Sequence, residues 1–250
     1  MSEPAVTHAN PPVSTTDWTP PPGALRSLTF RFIARSAQIL FRLLWRCQVI
    51  GLENIPRTGG VLLACNHVSN LDPPLLGCMI YRIRPSRFMG KTELWNNRFF
   101  SKIVEQVGGF PVQRHTADRA TLRRVLDWLK VGEAVAMFPE GERSLDGTLQ
   151  PAQPGITLLV QKSGVPVVPV ACVGTYASWP RGRKLPRLVP LKLVFGKPIT
   201  FSPTAKREEV TTILMQAIAD LLTANGQPTD APIAAEGTPK QKAEGETPAG

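Results

Sequence analysis

The sequence predicts an α/β fold: a single layered domain with a largely parallel or mixed sheet flanked by helices, preceded by an N-terminal amphipathic helix. Three observations predict it. Short apolar runs of β type alternate with helical patterns along most of the 250 residues. A hydrophobic content of 42% over that length supplies one sizeable core. No apolar run is suited to crossing a bilayer, which takes roughly 20 largely apolar residues. The longest uncharged run, 163–180, carries Pro166, Pro169 and two glycines and fits buried strands instead.

The elements follow in order. Six prolines crowd the first 22 residues and four the last 25, among Ala, Thr, Glu and Gly with little to pack, so 1–22 and 226–250 are expected to be disordered tails. The folded part divides into a helix over 23–47 and a domain over 48–225. Between Ala24 and Arg46, Arg31, Arg35, Gln38, Arg42 and Arg46 recur at spacings of 4, 3, 4 and 4, one face of an α-helix. Phe30, Ile33, Ala37, Leu40, Phe41 and Leu44 fall on the other face. Arginines opposite bulky apolar residues suit a helix lying in a membrane interface, its cations meeting anionic headgroups.

Strands are expected at Val61–Asn66, Arg87–Gly90, Ala134–Phe138, Val165–Val173 and Leu191–Phe195. Helices are expected at Asp72–Tyr81, Thr92–Val107, Ala117–Lys130, Gly155–Ser163 and Lys206–Ala224. The prolines of the Val165–Val173 strand point to an edge or boundary position. In such sheets, ligands bind beyond the carboxyl ends of the strands.

Charge and cysteine content narrow the function. The net charge is +10, so anionic partners are favoured. Nucleic acid is a poor fit, because only two tyrosines occur and the arginines cluster on an apolar-backed helix. Four cysteines without a C-x-x-C pair argue against a disulfide framework or zinc cluster and suit a reducing compartment. The first 25 residues lack the charged start and apolar middle of a secretory signal. Dinucleotide, P-loop and H-E-x-x-H patterns are absent, which leaves hydride transfer, NTP use and zinc proteolysis without a foothold.

Chemistry concentrates where predicted strands end. Asn66-His67 is followed by Val68-Ser69-Asn70-Leu71-Asp72, so a carboxylate five positions on can take one imidazole N–H and leave the other nitrogen as a base. Asp72 also precedes Pro73 and could cap the next helix. Gly108-Gly109-Phe110-Pro111-Val112-Gln113-Arg114 and Phe138-Pro139-Glu140-Gly141-Glu142-Arg143-Ser144 each place an arginine near glycine, as an anion site requires.

Together with Val165–Val170, these segments resemble the four ordered blocks of the glycerolipid acyltransferase family, those acting on 1-acyl-glycerol-3-phosphate. The resemblance spans about Gly51 to Gly196. It implies transfer of a fatty acyl group from coenzyme A or acyl carrier protein, as co-substrate, to the sn-2 hydroxyl of lysophosphatidate, giving phosphatidate. Another lysolipid or glycerol 3-phosphate is the alternative acceptor. His67 and Asp72 are then the catalytic pair, and Asn66, Arg114, Glu140, Gly141 and Arg143 the substrate-binding residues, with Glu140 expected to orient Arg143 or another basic group. No cofactor or metal is implied. The implied partners are membrane lipids and a lysophospholipid, at the cytoplasmic face of the membrane as a peripheral or monotopic protein. Two residues depart from the pattern: Glu142, where Thr is usual, and Pro111, where an aliphatic residue is common. A covalent route through Cys65 or Ser69 is disfavoured by the missing G-x-S-x-G. A non-catalytic lipid binder is disfavoured because both His67 and Asp72 are present.

Overall fold

The computed structural model describes residues 28–96, 101–102, 104–105, 108–112 and 119–229. The expected tails therefore lie outside the described residues, apart from 226–229, as does most of the expected Thr92–Val107 helix beyond its first turn.

Among the described residues, β1 (Gln48–Ile50), β2 (Val61–Cys65), β3 (Ser86–Lys91), β4 (Gly109–Val112), β5 (Ala134–Met137), β6 (Val167–Val173) and β7 (Lys192–Phe195) form one sheet. Its order is β1-β7-β6-β2-β5-β3-β4. All pairings are parallel except β6 with β7. Strands β1 and β7 thus run against the other five, and the chain preceding each of them lies at the edge where β2, β5 and β6 end.

Alternation along the strands builds the layers. Leu62, Ala64, Val135 and Met137 face one side, with α3 (Arg119–Lys130), α4 (Pro154–Ser163) and α6 (Arg207–Ala224). Val61, Leu63, Cys65, Ala134 and Ala136 face the other, with α1 (Leu28–Leu44) and α2 (Asp72–Ile80). A short helix, α5 (Thr175–Ser178), follows β6. Both faces being covered explains why β2, β5 and β6 are buried along their whole length.

Two expectations change. Strand β6 is central, between β7 and β2, not an edge. Pro169 is tolerated because its backbone faces β7 beyond the last β6–β7 pair, Val170 with Phe195, where its carbonyl accepts the Gly196 N–H. The faces of α1 are also reassigned. Phe30, Ala34, Gln38 and Phe41 are buried against the domain, Phe30 edge-on to Tyr81 and Gln38 donating to the Met79 carbonyl. Leu28, Phe32, Ile39 and Leu43 form a second, exposed apolar stripe at spacings of 4, 7 and 4, beside the exposed Leu40 and Leu44. One periodic pattern hid two apolar faces, one docked and one open. Among the described residues no helix is long and apolar enough to cross a membrane.

Candidate active site

Strand β2 ends in a buried loop that Asp72 holds closed. Asp72 is the first residue of α2, and its Oδ2 accepts the Val68 N–H (2.8 Å) and the Ser69 N–H (2.7 Å), reaching backward instead of capping the helix. The same oxygen lies 3.0 Å from His67 Nδ1. An acceptor there places the imidazole proton on Nδ1, and Nε2 makes no hydrogen bond to any described residue, so its lone pair stays open. His67 is 7% exposed and Asp72 fully buried. The Oδ1 of Asp72 is buried without a hydrogen-bond partner among the described residues.

The loop after β5, the neighbour of β2, packs against the histidine. Phe138 stacks on the His67 ring with centroids 4.1 Å apart. Glu140 is 1% exposed and accepts the His67 N–H on Oε1 (2.6 Å) and the Gln150 N–H on Oε2 (3.0 Å). Burial pushes its carboxyl up to about 8 against the pull of those two bonds. The Ser144 N–H donates to the His67 carbonyl at 2.8 Å, so both backbone groups of the histidine are held by the β5 loop. Gly141 turns that loop at φ +74°, and a Cβ there would come within 2.7 Å of Gln153.

The expected site residues thus take these places. His67, Asp72, Glu140, Gly141 and Arg143 converge, Arg143 Nη1 donating to Asn70 Oδ1 beside the histidine loop. Glu140 holds the histidine's backbone, its two oxygens each accepting a main-chain N–H, and makes no hydrogen bond or ion pair with Arg143. The Asn66 amide, 1% exposed, pairs with the Cys172 N–H (2.7 Å) and carbonyl (3.2 Å), continuing the β2–β6 pairing past the end of the strand. Arg114 lies outside the described residues; β4, which precedes it, ends at Val112 on the same edge. Cys65 is buried with its Sγ 3.4 Å from that of Cys172, and burial raises its thiol, so it does not present a ready thiolate. Ser69 Oγ donates to the Trp179 carbonyl and accepts the Leu71 N–H. Phe138 and Ser144 are contributions that spacing alone did not disclose; their place right after β5 was the available signal.

An open imidazole nitrogen backed by a buried carboxylate, beside a loop carrying an arginine, can take a proton from a hydroxyl bound near an anion. Residues 46–173 match the model of the family described as Acyltransferase, slightly over half of the chain. The chain belongs to the acyltransferase family. This acyltransferase is 28% identical over 172 residues to a 1-acyl-sn-glycerol-3-phosphate acyltransferase of Bacillus subtilis strain 168, covering 68% of this chain and 82% of that one. It is 31% identical over 155 residues to a chloroplastic protein of the same name from Brassica napus, covering 60% of this chain but only 44% of the Brassica protein. In structure it resembles the 1-acyl-sn-glycerophosphate acyltransferase PlsC of Thermotoga maritima, with a TM-score of 0.63, 24% identity, and coverage of 80% and 84% of the two chains. That likeness extends to the mixed α/β fold.

Proposed function

We propose that this acyltransferase moves a fatty acyl group from a coenzyme A or acyl carrier protein thioester to the sn-2 hydroxyl of 1-acyl-glycerol-3-phosphate. The observation that carries the reading is the His67–Asp72 pair, with Nδ1 occupied by a carboxylate and Nε2 open. Nε2 takes the hydroxyl proton as the oxygen bonds to the thioester carbonyl carbon. The carbon–sulfur bond then breaks, and the departing sulfur recovers the proton from the imidazolium. Asp72 fixes the ring and steadies its transient charge. The phosphate is assigned to Arg143 and Arg114, and the names carried by the relatives support a phosphate-bearing acceptor. Glu142, exposed beside Arg143 where the family usually has threonine, adds a negative charge next to that arginine.

Association with a membrane surface is part of this proposal. The exposed stripe Leu28, Phe32, Ile39 and Leu43 together with Arg31, Arg35 and Arg42 suits a helix that lies in the interface with its other face docked on the domain. The test is to offer purified protein lysophosphatidate, glycerol 3-phosphate and lysophosphatidylcholine, each with palmitoyl and oleoyl thioesters. Preferred turnover of lysophosphatidate is expected. Equal use of lysophosphatidylcholine, whose phosphate is a diester, would overturn the assignment of a phosphomonoester acceptor.

A further inference from the structure

Two long stretches of the sequence contain no acidic residue: 18–52 and 147–207. The first holds Arg42 and Arg46 near the end of α1, and the second holds Arg181, Arg183, Lys184 and Arg187 in the connection between α5 and β7. They are remote in sequence, yet the fold ties them together. Trp45 Nε1 donates to the Arg187 carbonyl (3.0 Å) and to Ser178 Oγ (2.8 Å). The Leu191 N–H donates to the Trp45 carbonyl, and the Gln48 N–H to that of Leu191. Since β1 and β7 run against β2, both basic segments enter the sheet from the edge where β2 delivers His67. The connection also touches the site loop directly, its Trp179 carbonyl accepting the Ser69 hydroxyl.

This connection has no regular structure between Pro180 and Pro190, and its four cations are exposed. Between them stand Leu185 and Leu188, 75% and 60% exposed. Leucines held out among cations, beside the Arg187 carbonyl that Trp45 holds next to the exposed Leu43 and Leu44 of α1, match what an anionic bilayer surface offers: headgroup charge outside and acyl chains just beneath. The geometry points to the Arg181–Leu188 connection as a second membrane contact, which joins the end of α1 in one anionic-lipid-binding edge and brings the bilayer to the mouth of the His67 site. The inference rests on the reading of α1 as an interfacial helix. An acidic carrier protein would also be drawn to the charge, but it supplies no acyl boundary for two protruding leucines.

The test uses the full chain and vesicles of phosphatidylcholine, with or without phosphatidylglycerol, scored by co-sedimentation. Three proteins are compared: the parent, a connection variant with Arg181, Arg183, Lys184 and Arg187 each changed to Ala, and an α1 variant carrying Phe32→Ser and Leu43→Ser. All of these side chains are exposed, and unchanged melting temperatures confirm that the variants are folded. The connection variant is expected to bind phosphatidylglycerol vesicles at least about tenfold more weakly, since each cation near such a surface contributes appreciably. Its weaker binding to pure phosphatidylcholine should change little. Leu185→Ser with Leu188→Ser should weaken binding to both vesicle types. If the connection variant binds phosphatidylglycerol vesicles like the parent while the α1 variant is released, the connection is no membrane contact and the α1 reading stands. If the α1 variant also binds like the parent, the α1 reading fails with it. A rise in KM for an acyl carrier protein thioester, with vesicle binding unaltered, would give the surface to the carrier and overturn the proposal.

Discussion

The two ends of the sheet both gather buried ionisable side chains, but they use them differently. At the amino ends of the strands, Arg84 is 6% exposed and donates to the carbonyls of Pro56 (3.1 Å), Gly59 and Gly132, binding together the segments that lead into β2, β3 and β5. Next to it, Arg87 pairs with Glu133 and lies over the Trp128 ring at 4.5 Å. At the carboxyl ends, Asp72 and Glu140 accept main-chain N–H groups in the same way, yet among the described residues His67 Nε2 and Asp72 Oδ1 are left without hydrogen-bond partners. A buried polar group whose capacity is used up by backbone holds a fold together; an open lone pair beside it is available for chemistry.

Substitutions at the two ends should therefore separate turnover from stability. The largest expected effect is at the carboxyl end: His67→Ala should cost at least about a hundredfold in kcat, the scale of losing a general base. Asp72→Asn should lose most of the activity as well, with binding to vesicles unchanged in both. Steady-state kinetics with co-sedimentation checks this, and near-normal turnover in His67→Ala would remove the proposed mechanism.

At the amino end, Arg84→Met should leave kcat intact in folded protein but strip three carbonyls of a charged donor. A loss of about 3 kcal/mol follows, lowering the melting temperature by roughly 10 °C. A fall in kcat at unchanged stability would show that the two ends are not separable in this way.

How much of this was legible beforehand differs between the ends. His67 and Asp72 could be seen because the pair is local, five residues apart at the end of an apolar strand. Arg84 could not, since a lone arginine after a helix has no signature when its partners are carbonyls 28, 25 and 48 residues away. Glu140 was marked as a site residue, but its partner was not readable. The His67 N–H meets it only because β5 lies beside β2, a neighbourhood that sequence order conceals. The layered fold was clear from alternating runs. The reversal of β1 and β7 and the two apolar faces of α1 were not, because periodicity counts apolar positions without saying what each one meets.

A smaller effect is expected at Arg143. Its replacement by Ala should raise KM for a phosphomonoester acceptor about tenfold to a hundredfold and leave KM for the thioester nearly unchanged, with Lys recovering only part. Equal effects on acceptors with and without phosphate would make Arg143 a support for the Asn70 loop.

The subtlest effect is the pH dependence of stability through Glu140. Its carboxyl is raised from 4.5 to about 8 in the folded protein, mainly by burial. Both states hold the proton below about pH 4.5, and there its contribution is complete. As pH rises toward 8 the unfolded chain releases the proton while the folded one must keep it, so this contribution declines. Glu140→Gln keeps an acceptor for only one of the two main-chain N–H groups and abolishes the ionisation that causes the slope. Melting curves at pH 5 and 9 should show the parent's advantage over the variant shrinking as pH rises. A constant gap would mean that the carboxyl stays ionised in the fold.

The strand order also divides the labour of the domain into modules. Among the described residues, the hydrogen bonds that fix His67 come from Asp72 at the start of α2 and from the loop after β5, the neighbour of β2, whereas β4 stands beyond β3 at the far margin of the sheet. The bonds that orient the base therefore depend on two neighbouring strands in the middle of the sheet and not on β4 at its margin.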